Sequence, residues 1–371
     1  MESRKKRRKA PKNIVYICST YYHVYIAIAK ILLGAQHADI IICDDIDAHE
    51  CLCSSLERSN VCGSVFFFDG KKVPTYDPKN KIEKVFIQHR KHQRMVESAL
   101  PLDLNQYTSI FIFHDGTKLG KYLQDAKIPY HLLEDSLNYF QIIQNTPGQS
   151  ELPPANKIKF LMKYYGGIGY LPCGQNRFCR SIEVNEKKNL QIGHRAILES
   201  PRAKMLSALD CEQRKRIFDV FVDTRIASFL KSFCANQKKS VLLLTNPLFF
   251  DQYVRTEQMQ ISIYKDIIDV YQGKGYTVII KPHPRDQAEY HKYFPKLIIL
   301  EKNFPTEVLN YDQGIFFDEA ATIFSSSIEV LQCVGTIKRY GFSFLNNYAQ
   351  YLTQSEKTRQ LTAEQRGDGT K

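Results

Sequence analysis

Four stretches of the chain repeat one theme: NIVYICST (residues 13–20), ADIIICDD (38–45), GSVFFFDG (63–70) and SIFIFHDG (109–116). Each is an apolar run that stops abruptly in hydroxyl, acidic or glycine residues. A strand with one wet face alternates apolar and polar positions. A continuous run is buried on both faces, as are the strands of a parallel sheet covered by helices. Helical periods lie between the runs, in YYHVYIAIAKILLG, which closes near Gly34, and in KLGKYLQDA. IPYHLLEDS (128–136) reads as the next strand. Alternation of this kind predicts an open α/β domain over residues 13–195.

The theme returns after residue 239. SVLLLTNP, the helix ISIYKDIIDVYQGKG and the strand YTVIIKPHP form a strand-helix-strand crossover ended by Gly273 and Gly275. KLIILEKNFPTEVL, QGIFFDEAAT and TIFSSSIEVLQCVG continue the alternation, giving a second Rossmann-like domain over residues 239–354. Between the two, residues 149–188 read as irregular, punctuated by Pro153-Pro154, Gly166-Gly167 and Gly174. Residues 196–238 read as a helical connector with Ile217, Phe221, Ile226 and Leu230 on one face. Residues 1–12 and 355–371 read as polar tails, too poor in apolar residues to be expected to fold. The expected class is therefore α/β, with two Rossmann-like domains facing a cleft. Ligands of open parallel sheets sit outside the carboxyl ends of strands, so the chemistry is sought where the apolar runs stop.

Composition removes several classes. No window holds 18 consecutive apolar residues, which argues against a transmembrane helix. The ten cysteines show no repeated pair spacing, which favours a reducing cytoplasm over a disulfide framework or a zinc site. Half of the net charge of +12 comes from residues 1–12, where seven basic residues face only Glu2. That block suits peripheral association with an anionic membrane, or is an appended tag; nucleic-acid binding through it is the alternative from another functional class. Neither a Walker loop, a zinc motif nor a dinucleotide fingerprint is present, which argues against ATP hydrolysis and NAD chemistry.

Three strand ends carry the candidate chemistry. In LLEDS, Glu134 and Asp135 follow an apolar run and can serve a hydroxyl nucleophile as general base. HDG, with His114 and Asp115, has the same layout one strand earlier, and composition does not choose between them. In KPHPRD, two prolines stiffen the backbone around His283, and Lys281 and Arg285 make the site cationic, suited to phosphate. In IFSSS, Ser325, Ser326 and Ser327 stand between a strand and an expected amphipathic helix, where hydroxyls and free N–H groups bind anions. Glu307, in FPTEVL, can accept from a ribose or cap a helix start.

In the order of LLEDS, KPHPR and IFSSS, the chain resembles the bacterial sialyltransferases of glycosyltransferase family 52, the lipooligosaccharide sialyltransferase group, over most of residues 13–351. Family-80 sialyltransferases and bacterial polysialyltransferases share this logic on a two-domain GT-B fold. The acidic motif of these families usually ends in glycine, whereas Ser136 follows Asp135 here. The resemblance favours EDS over HDG, because the acidic motif normally lies on the later strand. It implies an inverting, metal-independent and cofactor-free transfer from CMP-sialic acid to a sugar hydroxyl of lipooligosaccharide or capsular polysaccharide. Asp135 is then the base on the acceptor, and His283 protonates or stabilises the departing phosphate held by Ser325 and Ser326, with Ser327 beside them. Lys281, Pro284, Arg285, Glu307 and Asn246 complete the expected donor contacts. Glu134 and, at the first strand end, Tyr21, Tyr22 and His23 are the expected acceptor contacts. Another donor on the same fold, CMP-Kdo, a different nucleotide sugar or a CDP-polyol, is the alternative. The expected place is the cytoplasm, peripheral on the inner membrane, without nucleic acid; a homodimer is left open.

Overall fold

The computed structural model describes residues 12–44, 46, 48–75, 79, 83, 87–136, 140, 170–188, 190, 196–236 and 239–348. Apart from Lys12, the two expected tails lie outside these residues, as does the stretch from 149 to 169 with its Pro and Gly pairs. The chain divides into two compact units after Val220.

The first unit is built on seven parallel strands: β1 (Lys12–Cys18), β2 (Ala38–Cys43), β3 (Val65–Phe68), β4 (Tyr107–Ile112), β5 (Tyr130–Leu133), β6 (Cys179–Val184) and β7 (Ala196–Glu199). Their order in the sheet is β3-β2-β1-β4-β5-β6-β7. Helices α1 (Tyr21–Gly34), α2 (His49–Ser59), α3 (Gln88–Ala99) and α4 (Lys118–Asp125) connect the earlier strands. The apolar runs behave as expected of doubly covered strands: Val15, Ile17, Ile40, Ile41, Ile110 and Ile112 are all buried. Each such side chain contributes roughly 1.5–3 kcal/mol. α1 starts where it does because Thr20 is extended and its hydroxyl accepts the His23 N–H at 3.1 Å, an N-cap two residues beyond β1. α4 packs so closely on the end of β4 that a Cβ at Gly120 would lie 2.3 Å from the Asp115 carbonyl oxygen. Glycine is required there by backbone contact.

After β7 come α5 (Arg202–Ser207), α6 (Cys211–Phe221) and α7 (Thr224–Ala235). The segment read as a helical connector thus gives its first residues to the first sheet, and Asp223 breaks its helical period by capping α7 through the Arg225 N–H. β6 arises inside the stretch read as irregular.

The second unit carries five parallel strands: β8 (Ser240–Leu244), β9 (Thr277–Lys281), β10 (Ile298–Ile299), β11 (Phe317–Thr322) and β12 (Val334–Arg339), in the order β10-β9-β8-β11-β12. α8 (Glu257–Gly273) is the crossover from β8 to β9, capped by the Thr256 hydroxyl on the Met259 N–H. Both sheets are thus Rossmann-like and parallel throughout, in keeping with the GT-B class. β7 and β12 are sheet edges among the described residues, and both are largely exposed.

One expected element is absent. No amphipathic helix follows Ser325–Ser327; Ser326–Val330 is a single 3-10 stretch that leads into β12. Only eleven residues separate β11 from β12. A parallel crossover normally needs a dozen or more, so there is no length for an α-helix. The helix-dipole part of the anion-binding expectation for these serines therefore falls away.

Candidate functional site

In both sheets the strand order reverses at one place, between β1 and β4 in the first unit and between β8 and β11 in the second. Crevices outside such reversals are where open α/β sheets bind ligands. The sequence-marked residues collect at these two ends, and each cluster is described by itself.

In the first unit the side chains after β5 diverge. Glu134 is buried, and its carboxylate accepts the Asn185 N–H at 2.5 Å, which ties β5 to the turn after β6. Asp135 keeps 29% of its side chain exposed, and its Oδ1 lies 2.5 Å from Nε2 of His23. Burial pushes the Asp135 carboxyl up, but the hydrogen bond from His23, with the electrostatic pull of His23 and His114, outweighs it and holds the group below the usual aspartate range. His23 is buried, with its ring flat on Phe113 at 4.3 Å. Tyr21 is buried too, while Tyr22 is half-buried with its ring 6.2 Å from that of Tyr25.

The rival acidic residue has a different environment. Asp115 is buried and accepts three hydrogen bonds: from the Cys173 N–H at 2.8 Å, the Gly174 N–H at 2.9 Å and the Tyr130 hydroxyl at 2.9 Å. Desolvation pushes its carboxyl up despite these donors. Gly174 stands at φ +71°, a turn that aims its N–H at this carboxylate. Asp115 is thus a clamp between β4, β5 and the turn before β6, whereas the Asp135 side chain stays partly exposed. Burial thus distinguishes the two acids that composition left equivalent.

In the second unit, His283 sits just past β9. Its Nδ1 accepts the Arg285 N–H at 3.1 Å, which leaves the ring proton on Nε2. Burial, then the charges of Arg285 and Lys281, push its pKa down to about 4. His283 is therefore a neutral imidazole at pH 7, with one N–H to donate. Below it lies a polar network that the sequence reading missed. The His283 backbone N–H donates to the Thr245 hydroxyl at 3.2 Å, and that hydroxyl donates to Asp286 at 3.1 Å. Asp286 also accepts from Gln260 at 3.1 Å, the Tyr290 hydroxyl at 2.8 Å and the Ala288 N–H at 3.1 Å. Gln260 reaches the other way as well, accepting the Phe249 N–H at 2.8 Å. Only Asp286, directly after His-Pro-Arg, offered a sequence signal for this network.

The remaining donor candidates have structural engagements. The Lys281 ammonium is buried between the carbonyls of Pro282 (3.2 Å) and Lys302 (3.3 Å), 4.3 Å over the Phe304 ring. Burial lowers its pKa to about 7, against the pull of Glu307 and Glu301. Glu307 is half-buried, and desolvation raises its carboxyl. Arg285 makes a two-pronged ion pair with Asp251 at 2.9 and 3.1 Å. Pro284 is half-buried between His283 and Arg285. Asn246 is buried, and its side-chain oxygen accepts from the Thr322 hydroxyl and the Phe324 N–H, so it joins the ends of β8 and β11. The Ser325 N–H bonds the Thr322 hydroxyl at 3.2 Å, and the Ser325 hydroxyl caps no N–H group of the following turn. Ser326 is exposed, and Ser325 and Ser327 are half-buried.

A cavity of about 530 Å³ lies elsewhere in the first unit, on the sheet face near the end of α1, lined by Tyr16, Phe111, His131, Leu133 and Leu198 among others. It contains none of the strand-end candidates. Among the described residues no group of three or more His, Cys, Asp or Glu side chains is placed to hold a metal ion, and all ten cysteines are free.

These observations meet known proteins at two levels. In fold, the chain is similar to an α/β-galactoside α-2,3-sialyltransferase from Photobacterium phosphoreum, with a TM-score of 0.50 and 12% identity over 89% of this chain and 91% of that one. A sialyltransferase from Photobacterium damselae also matches, with a TM-score of 0.45 and 14% identity over 87% and 89% of the two chains. In sequence, an uncharacterised protein of Haemophilus influenzae is 37% identical over 86 residues, 23% of this chain. That match spans only 27% of the relative's own length. A model of glycosyltransferase family 52 matches residues 76–337, a span that includes Asp135, His283 and the three serines, and the chain belongs to that family.

Proposed function

We propose that this family-52 glycosyltransferase moves sialic acid from CMP-sialic acid to a sugar hydroxyl of a lipooligosaccharide or capsular acceptor, with inversion. Asp135 takes the proton of the acceptor hydroxyl as its oxygen forms a bond to the anomeric carbon. The bond from that carbon to the phosphate oxygen breaks, and its electron pair leaves with CMP. The leaving phosphate gains charge, and His283 answers it with a hydrogen bond from Nε2–H. A neutral imidazole whose Nδ1 already accepts the Arg285 N–H stabilises this oxygen and does not protonate it. Ser325, Ser326 and Ser327 offer hydroxyls to the same phosphate. Lys281, Arg285 and Asn246 build the loops that carry these groups, as their engagements with Phe304, Asp251 and Thr322 indicate.

The observation that carries the assignment is the contrast between the two strand-end acids. Asp135 is held ionised with an exposed surface, while Asp115 is enclosed by three donors. Only the first can receive a proton from an outside hydroxyl. The choice of donor follows the family resemblance and the sialyltransferase fold likeness. The basic segment at residues 1–12 would hold the enzyme to the cytoplasmic face of an anionic membrane, where such acceptors are assembled. Among the described residues no helix is long and apolar enough to cross a membrane.

The test is nucleotide release from a panel of CMP-sialic acid, CMP-Kdo, UDP- and GDP-sugars and CDP-polyols. CMP released from CMP-sialic acid alone, and reduced about 10²-fold or more in His283→Ala, is the expected result. Release from another donor moves the substrate and keeps the chemistry, and unchanged turnover in His283→Ala refutes its role.

A further inference from the structure

His23 was marked in the sequence as an acceptor contact, yet it has no surface to offer one. Its side chain is 2% exposed, and one ring face lies parallel to Phe113, with 4° between the planes. Both ring nitrogens are committed. Nδ1 accepts the Ser19 N–H at 3.1 Å, so the ring proton resides on Nε2 and points at Asp135 Oδ1, 2.5 Å away. The backbone is fixed as well, because the His23 N–H is the one capped by Thr20. Three adjacent strands supply the parts: Ser19, Thr20 and His23 follow β1, Phe113 follows β4, and Asp135 follows β5.

We propose that His23 is the positioning residue for the base Asp135: locked as the Nε2–H tautomer, it fixes one carboxylate oxygen and leaves the other to the substrate hydroxyl. This rests on the reading of Asp135 as the base. The arrangement is a clamp and not a relay. A relay would need Nδ1 to lose its hydrogen-bonded N–H donor and take a proton, which the Ser19 contact opposes. The proton taken from the acceptor therefore stays on Asp135 until the product leaves. The other groups bearing on this carboxylate are His114, which lowers its pKa further, and Glu134, whose own carboxylate is turned to Asn185. Removing His23 thus takes away the leading favourable interaction of the ionised form and leaves the burial cost in place.

The experiment reads the clamp without relying on turnover. Imidazole ¹⁵N shifts of the labelled full chain should show His23 protonated at Nε2 and unprotonated at Nδ1 at pH 7. The Asp135 carboxyl ¹³C titration should move upward by on the order of one pH unit in His23→Ala and return most of the way in His23→Gln, whose amide can donate in place of Nε2–H. With an active donor, the acidic limb of kcat should follow that titration and move upward with it in His23→Ala, with KM for the donor unchanged. An Nδ1–H tautomer at pH 7, an unmoved Asp135 titration in the variants, or a rise in acceptor KM at constant kcat overturns the proposal. The wild-type shifts and the Gln variant decide it even where His23→Ala does not fold. A wild type silent toward every donor defeats the transfer reading, while the two titrations still decide whether the clamp exists.

Discussion

Thr245→Val tests whether the network beneath His283 holds the turn that carries it. Thr245 is buried, and its hydroxyl is the only link that both accepts the His283 backbone N–H (3.2 Å) and donates to the Asp286 carboxylate (3.1 Å) among the described residues. Valine keeps the shape and removes the hydroxyl. Loss of a hydrogen bond to a charged group costs about 1.5–3 kcal/mol, and an N–H left without its partner adds about 1–3 kcal/mol where water cannot reach. Two features reduce the sum. Asp286 retains Gln260 and Tyr290 as donors, and His283 is half-buried, so water can serve part of its N–H. About 2–3 kcal/mol is expected. With a urea slope of about 1–3 kcal/mol/M, that moves the unfolding midpoint of the second unit by on the order of 1 M. The chain has no tryptophan, so far-UV circular dichroism is the suitable probe. Thr245→Ser keeps the hydroxyl and is the control, with a cost near 1 kcal/mol for the lost methyl. Valine within about 0.5 kcal/mol of wild type, or serine costing more than valine, refutes the role given to the hydroxyl.

Asp115→Asn places an amide donor where three groups already donate, and should cost on the order of 2–4 kcal/mol in urea unfolding of the first unit, whereas Asp135→Asn should stay within about 1 kcal/mol of wild type and abolish transfer. Equal stability losses in the two variants would remove the distinction between clamp and base. Lys281 titrates at about 7 in the fold against an ordinary value of 10.5, so between these values the unfolded chain binds the extra proton. Stability then rises with pH across that window. The difference between wild type and Lys281→Met, followed by denaturation from pH 7 to 10, should show this rise, and a flat difference refutes the burial assigned to the ammonium.

The parallel strands were legible because their cause is local: a run buried on both faces must be apolar at every position, as Ile40–Ile42 and Val241–Leu244 are. β6 was hidden because CRSIEV carries the exposed Arg180 and the half-buried Glu183, whose carboxylate meets Lys30 and Arg202, both distant in sequence. α8 begins at Glu257, four residues before the apolar period seen in the sequence, because its first turn includes the buried Gln260. The partners that justify that burial, Asp286 and Tyr290, lie 26 and 30 residues further on. The same limit applied to the acids. Nothing within HDG or EDS reveals that Cys173 and Gly174 would enclose one of them and His23 would pin the other. His283 could be singled out from the sequence because its constraint, a proline on either side, is written into adjacent residues.

The two exposed sheet edges have unequal consequences for the behaviour of the chain in concentrated solution. An unpaired edge offers its N–H and C=O groups to the strands of another molecule, and charged side chains on it are the usual protection against aggregation. β12 carries Lys338 and Arg339 side by side along its exposed backbone, so an approaching copy meets like charge. β7 has only Glu199 at its last position, and it shows Leu198 half-exposed. Self-association by strand addition is thus disfavoured at β12 and less opposed at β7. Between these two edges, the four residues of β7 have the weaker protection.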